Sequence, residues 1–281
     1  MGVYPFLVKT YEPGAKKRFG QHFLRDTGVI DRIVRWIDPA PADVVVEIGA
    51  GDGAISTRLA PKVGRLIAVE IDPDRIPQLE ASLAPYPSAV LIPGDFLSID
   101  LDASILPYMQ PGARLRVAGN LPYNVATAMI ERLLKWNVPV QDMFFMVQLE
   151  VARRIAAVPG TREYGVLSVF CQHYCDVQTG FKVSRACFVP RPQVDSSMIS
   201  LRPRGITTTP KYEAAFEEIV KAAFNYRRKT LANSLTRHPV LGKAASELLA
   251  GAAIDGSRRA EELSLQEFET LARVYREMRA P

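Results

Sequence analysis

The chain has 281 residues, which suits one large domain plus a smaller one. With 48% apolar and 23% charged residues it reads as a water-soluble globular protein, and no apolar run nears the ~18 residues of a membrane span. The opening MGVYPFLVKTYEPGAKKRFG lacks the charged-then-apolar order of a secretory signal, and Cys171, Cys175 and Cys187 are too few for a disulfide framework, so a reducing, cytoplasmic location is expected.

Near the start, Asp26 is placed to cap a helix with apolar positions Val29, Ile30, Ile33, Val34 and Ile37; Asp38-Pro39-Ala40-Pro41 stops it. VVVEIG at 44–49 reads as a buried strand, followed by a helix over 54–62. LIAVEID at 66–72 is a second strand, and Pro73 fits the first turn of a helix that ends before Pro85. AVLIPGD at 89–95, LRVAGN at 115–120 and DMFFMVQ at 142–148 supply three more strands, with helices over 125–136 and 150–157. Runs near 176–183 and 197–201 are candidates for closing strands. Short β-rich runs alternating with helices indicate a doubly wound, mainly parallel α/β sheet covered on both faces. The texture changes after Arg204: ITTTP at 206–210 reads as a linker, and the rest as helices over 212–224, 227–237, 241–250 and 265–278. The expected division is therefore 1–204, an α/β domain with a basic arm, and 205–281, a smaller all-helical domain.

Net charge is +5, and the basic residues cluster: Lys16, Lys17 and Arg18; Arg185, Arg191, Arg202 and Arg204; and Arg227, Arg228 and Lys229. Single clusters are commonly just solvated surface. Three in one chain favour a phosphate backbone as ligand.

EIGAGDG at 47–53 follows a strand and opens a helix, so Gly49, Gly51 and Gly53 let the backbone turn sharply and approach a ligand. The G-x-G-x-G spacing departs from the dinucleotide fingerprint, leaving a dehydrogenase as a loose alternative, and no Walker-type phosphate loop is present. Glu70 ends the second strand 21 residues after Gly49, where a carboxylate can accept from ribose hydroxyls; Asp95 ends the third and can accept from an adenine amine. Either acid alone is as readily a turn-former. Together with the glycine loop they favour an adenosine cofactor without a bound pyrophosphate, for which S-adenosylmethionine is the candidate.

GNLPYNVATAMI at 119–130 puts Asn120 at the end of the fourth strand. Pro122 biases Leu121 away from helical geometry, freeing its carbonyl, and Asn124 is placed to cap the next helix. The loop thus offers an amide oxygen, a carbonyl and the Tyr123 ring. An adenine N6 amine is a poor nucleophile because its lone pair is delocalised into the ring. Acceptors on both N–H bonds, the Asn120 oxygen and the Leu121 carbonyl, favour a more tetrahedral nitrogen and stabilise its developing positive charge. Tyr123 can stack on the extruded base.

Taken together, KKRFGQHFLRD (16–26), EIGAGDGAIS (47–56), VEID (69–72), GDFLSID (94–100), NLPYN (120–124), QLEVARRI (148–155), REYGVLSV (162–169), CFVPRPQVDSS (187–197) and FNYRRKTLANSL (224–235) resemble the ribosomal RNA adenine dimethyltransferase family over nearly the whole chain. The resemblance implies a Rossmann-like class I S-adenosylmethionine-dependent methyltransferase with a helical C-terminal domain. It implies dimethylation of N6 on two adjacent adenines near the 3′ end of 16S rRNA, within an immature small ribosomal subunit, by a monomer that needs no metal. His22 and Leu24 would cover the cofactor, with Gly49 against its amino-acid part, Glu70 on the ribose and Asp95 on the adenine. Asn120 would lie near both cofactor and target, and Phe188 would face Tyr123 across the base. Position 22 is His where many relatives carry Asn, and Leu149 stands where a Lys is frequent. The Erm type, which modifies large-subunit rRNA, and a non-catalytic assembly or transcription factor that keeps the RNA-binding surface are the rival readings. Cys171, His173 and Cys175 invite a zinc reading but lack a second ligand pair, and they read as packing. Trp36, Trp136 and Phe144 to Met146 read as core.

Overall fold

A computed structural model describes residues 22–205, 209–226 and 228–279. The basic run 16–18, most of the linker 206–210 and Arg227 lie outside the described residues. The strands are β1 (Phe23–Leu24), β2 (Asp43–Ile48), β3 (Arg65–Glu70), β4 (Ala89–Pro93), β5 (Arg114–Asn120), β6 (Val140–Gln148), β7 (Cys175–Val183), β8 (Phe188–Val189) and β9 (Ser196–Pro203). The helices of the first part are α1 (Thr27–Ile37), α2 (Ser56–Leu59), α3 (Ile76–Leu83), α4 (Leu101–Ile105), α5 (Ala126–Leu134), α6 (Leu149–Ile155) and α7 (Val166–Tyr174). Those of the second are α8 (Pro210–Phe224), α9 (Leu231–Thr236), α10 (Ala245–Gly251) and α11 (Leu265–Met278).

Seven strands form one sheet in the order β4-β3-β2-β5-β6-β9-β7, parallel from β4 to β6, with β9 antiparallel to both neighbours. The chain reverses direction across the sheet between β2 and β5, the switch point where such sheets open a crevice at the strands' carboxyl ends. β2 is buried at every position, as a central strand covered on both faces must be. One face packs Val46, Ile48, Val117 and Phe145 into a core with α5; the other packs Val45, Leu66, Phe144 and Met146 with α1 and α3. A third core joins Phe216, Ile219, Leu248, Phe268 and Leu271 of the helical part to Tyr164 and Val169, so α7 serves both parts.

Asp26 caps α1 as expected, its carboxylate accepting from the Val29 amide. Other expectations need correction. α3 starts at Ile76, three residues after Pro73. Asn124 makes no capping bond to α5. The helix expected over 227–237 begins only at Leu231, because Thr230 is its cap. Helices α4 and α7 are additions. Trp36 and Trp136 are half-buried, and Trp136 Nε1 donates to Asp102 at 2.7 Å.

The strands' amino ends meet around Arg116, which is 7% exposed. Its Nε and Nη2 donate to Asp142 at 2.7 and 2.9 Å, Nη1 to Asp43 and the Asp38 carbonyl, and Nη2 also to the Ile37 carbonyl. All five guanidinium N–H bonds are used, which is what a buried cation requires. The group ties β2, β5 and β6 to the C-terminus of α1, whose carbonyls favour a cation. Among the described residues no helix is long and apolar enough to cross a membrane.

Candidate active site

The carboxyl ends of β2, β3 and β5 converge on the glycine loop. Gly49, Gly51 and Gly53 all have positive φ, +70°, +57° and +81°, a region that costs an L side chain ~1–2 kcal/mol. A Cβ on Gly49 would meet only the Asn120 carbonyl, 3.8 Å away, so the glycine leaves a cradle. A Cβ on Gly51 would lie 3.1 Å from the Phe23 ring. β1 therefore presses directly on the loop.

That contact belongs to a strap absent from the sequence reading. Asp52, with a side chain 5% exposed, accepts from Arg25 just after β1 and from Arg75 before α3, the latter at 2.9 Å. Phe23 lies under both cations, 4.3 Å from Arg75 Cζ and 5.8 Å from Arg25 Cζ. The signal for it was the Asp inside GAGDG with arginines on either side of it in sequence, but nothing local says that they meet.

Glu70 is 2% exposed and holds two backbone amides, Gly51 on Oε2 at 2.7 Å and Asp72 on Oε1 at 2.8 Å. Burial raises its pKa, and these bonds oppose the rise. Each carboxylate oxygen keeps a second lone pair for a ligand. Asp95 sits in a turn of its own, accepting from Leu97 N at 2.9 Å and Ser98 Oγ at 3.2 Å. Arg132 of α5 donates to the Phe96 and Ile99 carbonyls, which joins the Asp95 loop to the helix after Asn-Leu-Pro-Tyr. Glu47 is buried beside Glu70. Burial pushes its carboxyl from 4.5 up to about 8, and Oε2 has no hydrogen-bond partner among the described residues.

Asn120 closes β5. Its Nδ2 donates to the His22 carbonyl at 2.9 Å, which leaves Oδ1 as the free acceptor. The Leu121 amide is used by the Met146 carbonyl at 3.1 Å. Among the described residues the Leu121 carbonyl takes no hydrogen bond. Tyr123 shares a 2.8 Å hydrogen bond between its hydroxyl and Ser196 Oγ, which fixes the ring, and burial raises its pKa.

The strand pair β1–β8 sets Leu24 opposite Phe188 and carries His22 to the same edge. His22 Nδ1 donates to the Pro190 carbonyl at 2.7 Å, and its ring lies 5.4 Å from that of Tyr123. Leu24 and Phe188, 4% and 2% exposed, belong to one buried cluster. The ring beside Tyr123 is therefore His22, and Phe188 makes no ring contact with Tyr123. Sequence reasoning brought Asn120, Leu121, Tyr123, His22 and Gly49 to one place. Phe188 lies on the same edge, paired with Leu24.

Elsewhere, Cys171 and Cys175 are buried with thiols pushed up by desolvation, and His173 Nδ1 lies 2.9 Å from Glu269.

Comparison with known proteins now bears on this geometry. A family model described as ribosomal RNA adenine dimethylase matches residues 14–277. Curated proteins named ribosomal RNA small subunit methyltransferase A are similar over nearly their full length. The one from Chromohalobacter salexigens is 44% identical over 260 residues, covering 92% of this chain and 90% of that one. The one from Bacillus mycoides is 39% identical over 272 residues, covering 95% and 93%. A solved dimethyladenosine transferase from Plasmodium falciparum superposes with a TM-score of 0.75 at 23% identity, covering 89% of this chain and 96% of its own. The 23S rRNA methyltransferase ErmE gives 0.66 at 24%, covering 90% and 98%. At those identities the two structures speak to the fold, which is that of class I rRNA methyltransferases. With the family model and both curated relatives spanning nearly the whole sequence, the chain belongs to the ribosomal RNA adenine dimethylase family.

Proposed function

We propose that this chain dimethylates N6 of two adjacent adenines near the 3′ end of 16S rRNA, in an immature small subunit, with S-adenosylmethionine as methyl donor. One observation carries the reading. Asn120 spends an amide N–H on the His22 carbonyl, which leaves Asn120 Oδ1 and the Leu121 carbonyl, on adjacent residues where β5 ends, as two acceptors without a partner among the described residues.

The cofactor reading rests on the cradle at Gly49 and on the two carboxylates beyond it. Glu70 has lone pairs left for ribose hydroxyls, and Asp95 has them for an adenine amine. S-adenosylmethionine, when bound there, supplies an electrophilic methyl group. The protein's own residues do the rest. Asn120 Oδ1 and the Leu121 carbonyl each accept an N–H of the adenine amine, turn its lone pair out of the ring plane and stabilise the positive charge that nitrogen gains. After the first transfer one N–H remains, and one acceptor suffices to orient it for the second. No strong base is needed, since the alkylated nitrogen is acidic enough to lose its proton to water.

Tyr123, fixed through Ser196, stacks on the base, a contact worth ~1–3 kcal/mol. Phe188 of β8, paired with Leu24, offers the opposite face of the base. His22 and Leu24 line that cover. Residues 205–281, with exposed Arg228 and Lys229, form the docking domain for the rest of the RNA.

The test is mass spectrometry of undermethylated small and large subunits after incubation with the protein and the methyl donor. Dimethyladenosine in the small-subunit RNA is expected. Incorporation only into the large subunit rejects the substrate, and none into either rejects the activity.

A further inference from the structure

Arg32 and Arg35 project from α1 one turn apart, both exposed, and neither has an acidic partner among the described residues. Between α1 and β7 they border an open recess of about 400 Å³, completed by Trp36, Gly180 and Phe181. Its shape follows from β7. Thr179 pairs with Ile199 but Lys182 with Ser197, so the strand holds one residue too many and bulges at 180–181. A bulge re-aims a side chain, and here the Phe181 ring lies under the Arg32 guanidinium, 3.9 Å from Cζ to centroid. Trp36 meets Phe181 edge-on at 6.1 Å. Gly180 is what lets the bulge close on the indole, because a Cβ there would lie 2.8 Å from Trp36 and 3.0 Å from Met198 Cβ.

We propose that this recess is a second RNA contact, taking one unpaired nucleotide of the substrate outside the adenine pocket. The inference rests on the RNA-modifying reading above and adds a site to it. A guanidinium centred 3.9 Å over an aromatic ring can offer its outer side to a base, and stacking of this kind tolerates any base. The unpaired Arg35 guanidinium beside it matches a phosphate in charge and in fork geometry. α1 carries the recess at a fixed distance from the site. Its cap Asp26 lies 3.7 Å from Cys187 Sγ, next to Phe188, and Arg35 is roughly 14 Å further along at 1.5 Å per residue.

Trp36 is itself the reporter. The chain has two tryptophans, so Trp136→Phe leaves Trp36 alone. Adding a short single-stranded oligoribonucleotide should quench its emission. Arg35→Glu combined with Arg32→Ala should abolish the quenching, whereas Lys62→Glu, an exposed charge reversal away from the recess, should not. In methyl transfer to small subunits the double variant should raise KM about tenfold, the loss expected of one stacked base or charged contact, at unchanged kcat and unchanged cofactor affinity. The salt dependence of binding should flatten by about one phosphate contact. Absence of quenching, or quenching by an acidic peptide but not by RNA, overturns the proposal. Failure of the wild-type protein to methylate either subunit sinks the assigned reaction instead, and the fluorescence result is read without it.

Discussion

Replacing Glu47 by glutamine isolates the electrostatics beneath the glycine loop. Glu47 lies in β2 between Ala68 and Ala118 on the neighbouring strands and is 2% exposed. Burial is the main cause of its rise to about 8, and Glu70 adds to it. Ser56 opposes, but among the described residues neither Ser56 Oγ nor Glu47 Oε2 has a hydrogen-bond partner, so burial decides. The unfolded chain ionises this group near 4.5 and the folded protein near 8. Between those values the unfolded state binds fewer protons, so stability falls as pH rises, with the full contribution present below 4.5 and lost above about 8. At about 1.4 kcal/mol per pH unit the whole window is worth about 5 kcal/mol. Glutamine keeps the shape and cannot ionise. Glu47→Gln should therefore match the wild type to within about 1 kcal/mol near pH 5 and exceed it by about 4 kcal/mol near pH 8. Glu70, also raised by burial, is present in both proteins, and its repulsion of an ionised Glu47, which only the wild type can have, adds to the difference at the alkaline end. The assay is urea denaturation of cofactor-free protein from about pH 5 to pH 8. Parallel stability curves for the two proteins would refute the buried, proton-holding Glu47.

Asn120→Ala should lower kcat for adenine methylation by about a hundredfold or more, the scale of losing one charge-stabilising partner, with unchanged circular dichroism; dimethyladenosine at the native rate would defeat the acceptor mechanism. Asp52→Asn removes the charge that holds Arg25 and Arg75, and should weaken cofactor binding about tenfold by calorimetry. Arg116→Met leaves Asp142 buried without its cation, while Asp43 keeps Arg114, and should cost about 3–5 kcal/mol in a denaturant titration. Making Asp142→Asn in the same chain should recover part of that loss.

What the sequence disclosed follows the range of the interactions. Asp26, the apolar spacing of α1 and the β-rich run at 44–48 are local signals, and the structure has a capped helix and a buried strand there. Helix α7 was missed because VLSVFCQHY is apolar on most sides: it packs between two cores and keeps no polar face to give it a period. The expected helix over 227–237 ignored Thr230, a better cap than anything before it. Around the site, Asn120 and Leu121 were legible because Pro122 acts on its own neighbour. The pairing of Phe188 with Leu24 was not, because it joins residues more than 160 apart. Arg116 was invisible for the same reason, since parallel register alone brings Asp43 and Asp142 to it.

These long-range contacts share one element. α1 is tied at its start to Cys187 through the capping Asp26, at the edge where β1 pairs with β8. It is tied at its end to the strands' amino termini through the carbonyls of Ile37 and Asp38 on Arg116. A helix held at both ends cannot tilt without breaking a buried charged network or the cover of the site. The recess on its flank is therefore fixed in distance from Asn120. It follows that Arg116→Met, at a temperature where the protein remains folded, should weaken RNA contact at Trp36 and base placement at Asn120 together. Arg35→Glu should affect the first and spare the second. Trp36 quenching and the kcat of methyl transfer, measured on both variants, separate a rigid bar from two independent sites.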